Sequence, residues 1–445
     1  MKLSQFTISV PDFPKAGKYL VYNTFNQATA IIGERAKEIL SNPNDPIGDD
    51  EVKYINTFKE LGLVVDDSAD EIAEFKDWYN TARYNKSTMR ATILTTYDCN
   101  FACEYCVEEG VKKPVRMDEA QCRKTVDWLI NTVEKSKSDK LLLHFYGGEP
   151  LMNVLPIDHI ASEISKYAER SGISFSFNIT TNGSLLKPEM VERWVPLGLT
   201  NVRVTLDGAR DFHDSKRPFI SGKGTFDVII RNLLQLMDKV EIRVNTNVDS
   251  ENMDSVPRLL EYLEQVGLKD KIELIKFNPI VHIQGQDNTS RPTRQTDCAP
   301  ASKECEMENL LPLTWDAYRR GFRTENEIKF TICSMNLDGT AAVIDPLGRI
   351  YTCPAFVGRE GFQAGDVKHE ELSDKHREFM DMPVPDDCWK CAYMPMCGAG
   401  CRHFSHTKYG DMSQTHCEKE FIQKAVAESL RMNALSQQLK RERRA

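Results

Sequence analysis

Three cysteines lie within the eight-residue segment CNFACEYC, at Cys99, Cys103 and Cys106. Thiolates are preferred ligands of zinc and of iron–sulfur clusters. A structural zinc site takes four protein ligands, and the loop offers no further Cys or His to complete such a set. A four-iron cluster can instead be held by three thiolates, which leaves one iron open to another ligand. The spacing therefore favours an iron–sulfur site, although Cys103 and Cys106 alone have the spacing of half a zinc site.

A larger group of cysteines lies towards the end of the sequence. It consists of Cys333, Cys353, Cys388, Cys391, Cys397, Cys401 and Cys417. The odd total of 13 cysteines argues against complete pairing in disulfides. Their grouping indicates metal or cluster binding, with two zinc ribbons as the alternative to iron–sulfur clusters. Cys122, on a predicted helix, is expected to be a buried apolar residue instead.

The bulk composition excludes some classes of function. The 445 residues include 66 Asp and Glu against 57 Lys and Arg, for a net charge of −9. Nucleic-acid surfaces need clustered Lys and Arg, so we expect no nucleic-acid partner. No apolar run approaches the roughly 20 residues that span a bilayer, and the first residues lack the order of a secretion signal. We therefore expect a cytoplasmic protein without a membrane partner.

Alternating strand-like and helix-like segments must position the first cysteine group. Between residues 89 and 282, β-branched runs such as KLLLHFYGG and NVRVTLDG are separated by helix-length amphipathic segments, which makes six β–α repeats. Helical crossovers imply a parallel sheet, with reactive residues at the carboxyl ends of the strands. Six repeats are too few for the usual eight-stranded barrel. The sequence therefore predicts an α/β fold with a partial (β/α)6 TIM-like barrel.

The first cysteine group, with Tyr105 just before its last member, resembles the signature of radical S-adenosylmethionine (radical SAM) enzymes. GGEP at 147–150, TTNG at 180–183 and TLDG at 205–208 resemble family motifs at successive strand ends. The resemblance implies that Cys99, Cys103 and Cys106 hold a [4Fe–4S] cluster. It also implies cofactor contacts from Tyr105, Gly147, Gly148, Glu149, Asn182, Thr205, Asp207 and Arg217.

Reductive cleavage of SAM is the chemistry that the resemblance implies. An electron from the cluster enters the sulfonium of SAM, giving methionine and a 5′-deoxyadenosyl radical that removes hydrogen from unactivated carbon. The cofactor carries this step, and the protein positions and shields it. Glu149 is expected to meet the methionine amine and Arg217 its carboxylate, with flavodoxin or ferredoxin as electron donor. Taken alone, GGEP is also the composition of a tight turn, and a loop arginine is often merely solvated.

The second cysteine group resembles the SPASM domain, which carries two auxiliary iron–sulfur clusters. The pattern implies an outer cluster on Cys388, Cys391, Cys397 and Cys417, and an inner one on Cys333, Cys353 and Cys401. Either Cys298 or Cys305 completes the inner set, or that cluster keeps an open iron able to bind a substrate thiolate. Anaerobic sulfatase-maturing enzymes carry an aspartate base after the cysteine equivalent to Cys353. Pro354 cannot act as a base, which disfavours formylglycine formation.

The first region, residues 1–88, contains no cysteine and begins with hairpin-like strands that lead into helices. YLVYNTFNQATAIIG followed by FKELGLVV resembles the winged-helix module with which peptide-modifying radical SAM proteins bind a leader peptide as an added strand. An extension that merely packs on the barrel is the alternative.

Four regions and one function are therefore predicted. They are a leader-recognition module (1–88), a partial barrel (89–282), a bridging segment (283–330) and a SPASM domain with a C-terminal helix (331–445). With three [4Fe–4S] clusters and SAM, the enzyme would form a thioether or carbon–carbon cross-link in a ribosomal precursor peptide. The alternatives are another peptide oxidation, such as formylglycine formation or decarboxylative tailoring, and a zinc-stabilised peptide-binding scaffold without redox chemistry.

Overall fold

The structure is a computed structural model. It describes residues 1–45, 48, 51–106, 108, 110–236, 238–283, 293–296, 310–324, 328–369 and 371–442. Cys298 and Cys305 lie outside the described residues, as does much of the predicted bridging segment. The chain divides into two compact units, the first formed by Met1–Tyr84, Asn326–Cys333 and Pro383–Ala445, the second by Asn85–Glu325 and Ser334–Met382.

The strands follow in chain order. They are β1 (Lys2–Leu3), β2 (Thr7–Pro11), β3 (Lys18–Asn23), β4 (Thr29–Gly33), β5 (Val64–Val65), β6 (Thr88–Leu94), β7 (Lys140–Tyr146), β8 (Ser174–Thr181), β9 (Leu199–Thr205), β10 (Glu241–Val248), β11 (Ile272–Ile283), β12 (Thr293–Thr296), β13 (Ala341–Ile344), β14 (Arg349–Tyr351) and β15 (Gly365–Asp366).

The helices alternate with these strands over most of the chain. They are α1 (Glu34–Ser41), α2 (Val52–Glu60), α3 (Glu71–Arg83), α4 (Glu119–Ser136), α5 (Leu155–Ser171), α6 (Pro188–Trp194), α7 (Arg210–Lys216), α8 (Phe226–Gln235), α9 (Ser255–Gln265), α10 (Leu310–Arg319), α11 (Asp374–Met380), α12 (Asp386–Trp389), α13 (Met394–Cys397), α14 (Arg402–Tyr409) and α15 (Lys419–Glu442). None of the helices in the described ranges combines the length and apolar character that a membrane crossing needs.

The second unit is built on a large, mostly parallel sheet. Strands β6 to β11 lie side by side in sequence order and run parallel. At one edge of this sheet, β13 pairs with β6 in parallel, and β14 and β15 follow in antiparallel orientation. At the other edge, β12 pairs with β11 in antiparallel orientation. The predicted α/β fold with a parallel sheet is confirmed, and the strand order is consistent with a six-repeat partial barrel.

Successive side chains on the parallel strands point to opposite faces of the sheet. One face is the buried apolar core, where Leu143, Ile179 and Val204 pack with residues of the helices such as Leu129 and Ile160. The intervening side chains lie on the other face. We call it the inner face and define it by Thr92, His144, Thr180, Arg203, Arg243, Asn245 and Lys276.

The first unit contains a three-stranded antiparallel sheet, in the order β2-β3-β4. Val21 of β3 packs against α1 and α2 through Ile39 and Phe58. Its neighbours Leu20 and Tyr22 point the other way and pack against α15. Both faces of β3 are therefore covered by helices of the first unit, one face by α1 and α2 and the other by α15. A small sheet followed by three helices is consistent with the winged-helix prediction, which stays a prediction.

Candidate functional site

The three cysteines of the first group lie in the loop after β6. The pKa of Cys99 is raised to about 12, mainly by burial and in part by negative charge on Glu149, Cys103 and Cys106. Burial likewise raises the pKa of Cys106 to about 11, with a further contribution from Cys103. These mutual effects mean that the loop brings the three thiols together. A bound metal would offset the cost of the thiolate form, since metals stabilise deprotonated thiols.

The donor chemistry of this loop suits an iron–sulfur cluster. No group of three or more His, Cys, Asp or Glu among the described residues has the arrangement that one metal ion needs. A cluster distributes its thiolates over several irons, so its ligands need not converge on one point. Three partly buried thiols in a single loop are the donor set that a three-cysteine cluster requires.

Backbone contacts with the segment after α7 hold the cysteine loop in place. The Ala102 N–H donates to the Pro218 carbonyl at 2.9 Å, and the Ile220 N–H donates to the Asn100 carbonyl at 3.0 Å. Between these bonds the rings of Phe101 and Phe219 pack edge to face, with centroids 5.1 Å apart. The loop is thus fixed on a defined support, as a site with pre-organised ligands needs.

The GGEP turn after β7 packs directly on the start of the cysteine loop. The Gly148 N–H donates to the Thr96 carbonyl at 3.0 Å, and the Glu149 N–H donates to the Asp98 carbonyl at 2.8 Å. A Cβ at Gly148 would lie 2.3 Å from the Asp98 oxygen. At Gly147, where φ is +141°, it would lie 2.5 Å from the Thr96 oxygen. Both glycines are therefore required by the close approach of two backbones.

Glu149 is fully buried and connects the ends of β7 and β8. Its carboxylate accepts hydrogen bonds from the Leu151 N–H at 3.0 Å, the Thr181 hydroxyl at 2.6 Å and the Asn182 N–H at 2.7 Å. Burial raises the pKa of Glu149, whereas these bonds and the charge of Arg217 lower it. This bridging role was not predicted from the sequence, because it depends on which strand ends are neighbours.

A second polar network joins Tyr105 of the cysteine loop to the ends of β9 and β10. The Tyr105 hydroxyl contacts the Asp207 carboxylate, and it accepts hydrogen bonds from Arg217 at 2.6 Å and Asn247 at 3.2 Å. Burial raises the pKa of Asp207 to about 6, and the nearby Arg217 opposes this rise. Thr205 is buried at the end of β9, two residues before this carboxylate.

Arg217 is a buried side chain that faces several negative groups. Its Nη1 lies 3.6 Å from the Asp207 carboxylate. Burial alone would lower the pKa of Arg217, but negative charge on Cys103, Asp207 and the other two cysteines raises it. Its Nε has no hydrogen-bond partner among the described residues. The alternative of a merely solvated loop arginine is therefore wrong.

Polar residues that sequence analysis did not assign complete this side of the site. Asn182 donates from its side chain to Asn100 in the cysteine loop at 2.8 Å. The Asp207 N–H donates to Nδ1 of buried His213 at 3.2 Å, and the Asn252 amide donates to the Asp207 carbonyl at 2.6 Å. Asn100, His213 and Asn252 gave no signal in the sequence beyond lying near a strand end.

Six cysteines of the second group lie in the first unit, whereas Cys353 lies in the second. Burial raises the pKa of Cys388, and so does negative charge on Cys417 and Cys391. Burial raises the pKa of Cys397 to about 11, with contributions from negative charge on Cys388, Cys391 and Cys417. The predicted outer set is therefore close together in space. Cys122 is buried in the apolar core, as predicted.

Replacing one cysteine of the outer set gives a direct test of cluster ligation. We expect Cys397→Ala to lower the iron content by about 4 atoms per chain, because a four-iron cluster would lose one of its four thiolates. Iron would be counted by a colorimetric assay after anaerobic reconstitution. Cys122→Ala is the matched control and should leave the iron count unchanged. Equal iron in the Cys397→Ala and unchanged proteins would contradict the outer cluster.

Comparison with known proteins supports the assignment of this site. Residues 93–263 match the family model of the Radical SAM superfamily. This range contains the cysteine loop, the GGEP turn and the Tyr105 network. Residues 93–263 therefore form a radical SAM domain, and the predicted resemblance to radical SAM enzymes is confirmed.

Individual relatives indicate the kinds of radical SAM enzyme to which the chain is similar. The chain is 22% identical over 360 residues to a cysteine-type anaerobic sulfatase-maturating enzyme of Clostridium novyi (strain NT), covering 74% of this chain and 93% of the relative. It is 24% identical over 331 residues to the mycofactocin maturase MftC of Mycobacterium tuberculosis, covering 69% and 76%. The chain is thus related to sulfatase maturases and to a peptide maturase.

Two solved structures share the fold. One is anSMEcpe with bound AdoMet, with a TM-score of 0.59, 16% identity, and coverage of 80% of this chain and 96% of that one. The other is Streptococcus suis SuiB bound to the precursor peptide SuiA, with a TM-score of 0.54, 13% identity, and coverage of 94% and 99%. At these identities the likeness concerns the fold alone.

Proposed function

We propose that this enzyme modifies a ribosomally made precursor peptide by abstracting hydrogen from it. The observation that carries the proposal is the three-cysteine loop held by backbone hydrogen bonds against the GGEP turn. Cys99, Cys103 and Cys106 would hold a [4Fe–4S] cluster, to which SAM would bind. When bound, cluster and SAM together supply a 5′-deoxyadenosyl radical.

The residues around this loop would bind and orient SAM. They are Tyr105, Gly147, Gly148, Glu149, Asn182, Thr205, Asp207 and Arg217. Arg217 is suited to a carboxylate, since its Nε has no hydrogen-bond partner among the described residues and guanidinium groups match carboxylates well. Glu149 has both oxygens engaged by the end of β8, so it would act partly by fixing the turn that faces the cofactor. Burial of these groups would exclude water from the radical.

The auxiliary cysteines would hold two further [4Fe–4S] clusters. The outer one would use Cys388, Cys391, Cys397 and Cys417, and the inner one Cys333, Cys353 and Cys401. The inner cluster would either keep an open iron or take Cys298 or Cys305 as a further ligand. Support for the outer set comes from the mutual electrostatic effects of its members.

A leader-bearing peptide is the proposed substrate, and a thioether or carbon–carbon link the proposed product. The relation to MftC supports peptide maturation, and SuiB, which shares the fold, has been solved with its precursor peptide. The sheet β2-β3-β4 would take up the leader as an added strand, which raises the effective concentration of the core peptide. A flavodoxin or ferredoxin would supply the electron.

Another peptide oxidation is the second candidate, because sulfatase maturases are among the relatives. Formylglycine formation is disfavoured within this class. Pro354 follows Cys353 and begins a short 3-10 helix, so no carboxylate base stands at that position.

Co-expression with a candidate precursor peptide tests the proposal. We expect the peptide to lose two hydrogen atoms per cross-link, since one carbon–hydrogen bond and one hydrogen of the partner residue are given up. The measurement is mass spectrometry of the intact peptide, with fragmentation to locate the link. The enzyme itself should be brown and contain about 12 iron atoms per chain if three four-iron clusters are present.

Two outcomes would contradict this function. A colourless protein with stoichiometric zinc would indicate the non-redox scaffold. A loss of two hydrogens that fragmentation assigns to a single Ser without a link, the exchange of a Cys thiol for an aldehyde oxygen, or a loss of carbon dioxide would identify oxidation or decarboxylative tailoring instead of cross-linking.

A further inference from the structure

Tyr79 of α3 is a buried tyrosine to which the function above gives no role. The residue is 1% exposed. Its hydroxyl is buried as well and has no hydrogen-bond partner among the described residues. Buried tyrosine hydroxyls usually find a partner, because a buried polar group without one costs free energy. An acceptor supplied from outside the polypeptide would remove this cost.

The surroundings of Tyr79 include the cysteine-bearing segments of the first unit. Tyr79 follows Phe75 by about one helical turn, so both lie on the buried face of α3. The ring of Trp389 packs edge to face on that of Tyr79, with centroids 5.3 Å apart. The same apolar cluster takes in residues of the cysteine-bearing segments, namely Ile332, Cys388, Cys391, Met394 and Ala399. Tyr79 is therefore packed beside the auxiliary cysteines of its own unit.

Cys333 is an auxiliary cysteine whose charge reaches Tyr79. The segment before it is fixed to the same packing layer, because the Thr331 N–H donates to the Pro395 carbonyl at 3.0 Å. Burial raises the pKa of Tyr79, the charge of Arg83 opposes this rise, and negative charge on Cys333 adds to it. The Tyr79 hydroxyl and the Cys333 thiol therefore lie near each other within the first unit.

The sulfur of an iron–sulfur cluster is an acceptor that suits this hydroxyl. A phenol keeps its proton at neutral pH and can therefore donate it in a hydrogen bond. Hydrogen bonds to the sulfurs are among the features that set the reduction potential of a cluster. A buried water is the alternative acceptor, but it needs about two to four polar partners. The rings and aliphatic side chains packed around Tyr79 offer none, which favours the cluster.

We propose that the Tyr79 hydroxyl donates a hydrogen bond to a sulfur of the iron–sulfur cluster that Cys333 holds. The inference rests on the proposed function, which assigns Cys333 to the inner auxiliary cluster. Tyr79 is not a ligand in this arrangement. An added electron makes the sulfurs more negative and so strengthens the bond, since hydrogen bonds to charged acceptors are the stronger ones. The bond therefore raises the reduction potential of this cluster.

The reduction potentials of the auxiliary clusters test this bond without turnover. The background is the full-length Cys103→Ala protein, reconstituted with iron and sulfide, so that the auxiliary clusters are observed without the SAM-binding one. We expect Tyr79→Phe to make reduction of one auxiliary cluster about tenfold less favourable, the usual effect of one hydrogen bond. For a one-electron couple this is a shift of about 59 mV to lower potential. The measurement is an anaerobic redox titration followed by electron paramagnetic resonance.

A second measurement detects the donated proton itself. Hyperfine spectroscopy of the reduced clusters, compared between protein prepared in water and in deuterium oxide, should show an exchangeable proton that Tyr79→Phe removes. Tyr22→Phe is the matched control, because Tyr22 is buried in the same unit and burial alone raises its pKa. This control should leave both the potentials and the proton signal unchanged. Circular dichroism would verify that each variant is folded.

The iron count separates failure of this bond from failure of the proposed function. About 8 iron atoms per chain with and without Tyr79→Phe, together with unchanged potentials, overturns the bond and leaves the auxiliary clusters in place. A loss of about 4 iron atoms on Tyr79→Phe also overturns it, because Tyr79 would then be a ligand. An equal shift in the Tyr22→Phe protein overturns it as well. Absence of cluster iron in the Cys103→Ala protein overturns the bond and the auxiliary clusters together.

Discussion

Replacing Cys103 by alanine is expected to reduce 5′-deoxyadenosine production to the level of a control without enzyme. Burial raises the pKa of the Cys103 thiol, and negative charge on Cys103 raises the pKa of Arg217. Two remaining thiolates would not hold a four-iron cluster with a single open iron. The measurement is chromatography of 5′-deoxyadenosine after incubation of the reconstituted protein with SAM and dithionite.

The iron count distinguishes this defect from a general failure to fold. Cys103→Ala should retain about 8 of about 12 iron atoms, because the auxiliary cysteines are untouched. Cys122→Ala, in the apolar core of the same unit, should retain full iron and full SAM cleavage. Persistent cleavage of SAM by the Cys103→Ala protein would refute the assignment of this loop.

Gly147→Ala is expected to have the second large effect. The added Cβ would lie 2.5 Å from the Thr96 carbonyl oxygen, at a φ of +141° that side chains rarely adopt. We expect a loss of roughly 2–6 kcal/mol in the free energy of unfolding, combining about 1–3 for backbone strain and about 1–3 for overpacking. SAM cleavage should also fall, because the GGEP turn could no longer pack closely against the start of the cysteine loop. The measurements are the urea midpoint and 5′-deoxyadenosine production.

The control for Gly147→Ala changes another glycine with a positive φ, but one that lies in open space. Gly172 ends α5 with a φ of +71°, and no heavy atom lies within 4 Å of its added Cβ. Gly172→Ala should therefore cost only about 1–2 kcal/mol, the backbone penalty alone, and leave SAM cleavage intact. Equal effects of the two substitutions would show that the close contact at Gly147 is unimportant.

Much of the second unit was predictable because its signals are local. Apolar strand runs separated by amphipathic helices specify parallel β–α repeats, and the glycines of GGEP mark a tight turn. The extension of the sheet by β13 was not predictable. AAVI at 341–344 is a short run, and its pairing with β6 depends on contacts between residues about 250 positions apart.

The sequence predicted which side chains lie near one another in the site, but it did not predict which of them form hydrogen bonds. Parallel strands place their carboxyl ends at one edge, so Glu149, Asn182 and Asp207 were expected near the cysteines. That Glu149 bonds the end of β8, and that Tyr105 meets Asp207, depends on rotamers and on the exact spacing of strand ends. Such features emerge only from tertiary packing.

The first unit combines segments from near both ends of the sequence, which affects when it can fold during synthesis. Leu20 and Tyr22 near one end of the sequence pack against Val426 and Leu430 near the other, and Phe6 and Phe75 pack with Met394. On the ribosome this unit therefore stays unfinished until residue 430 has emerged, whereas the parallel sheet can begin to collapse much earlier. A nascent chain would thus acquire its radical-forming half before the half that contains β2-β3-β4 is stable.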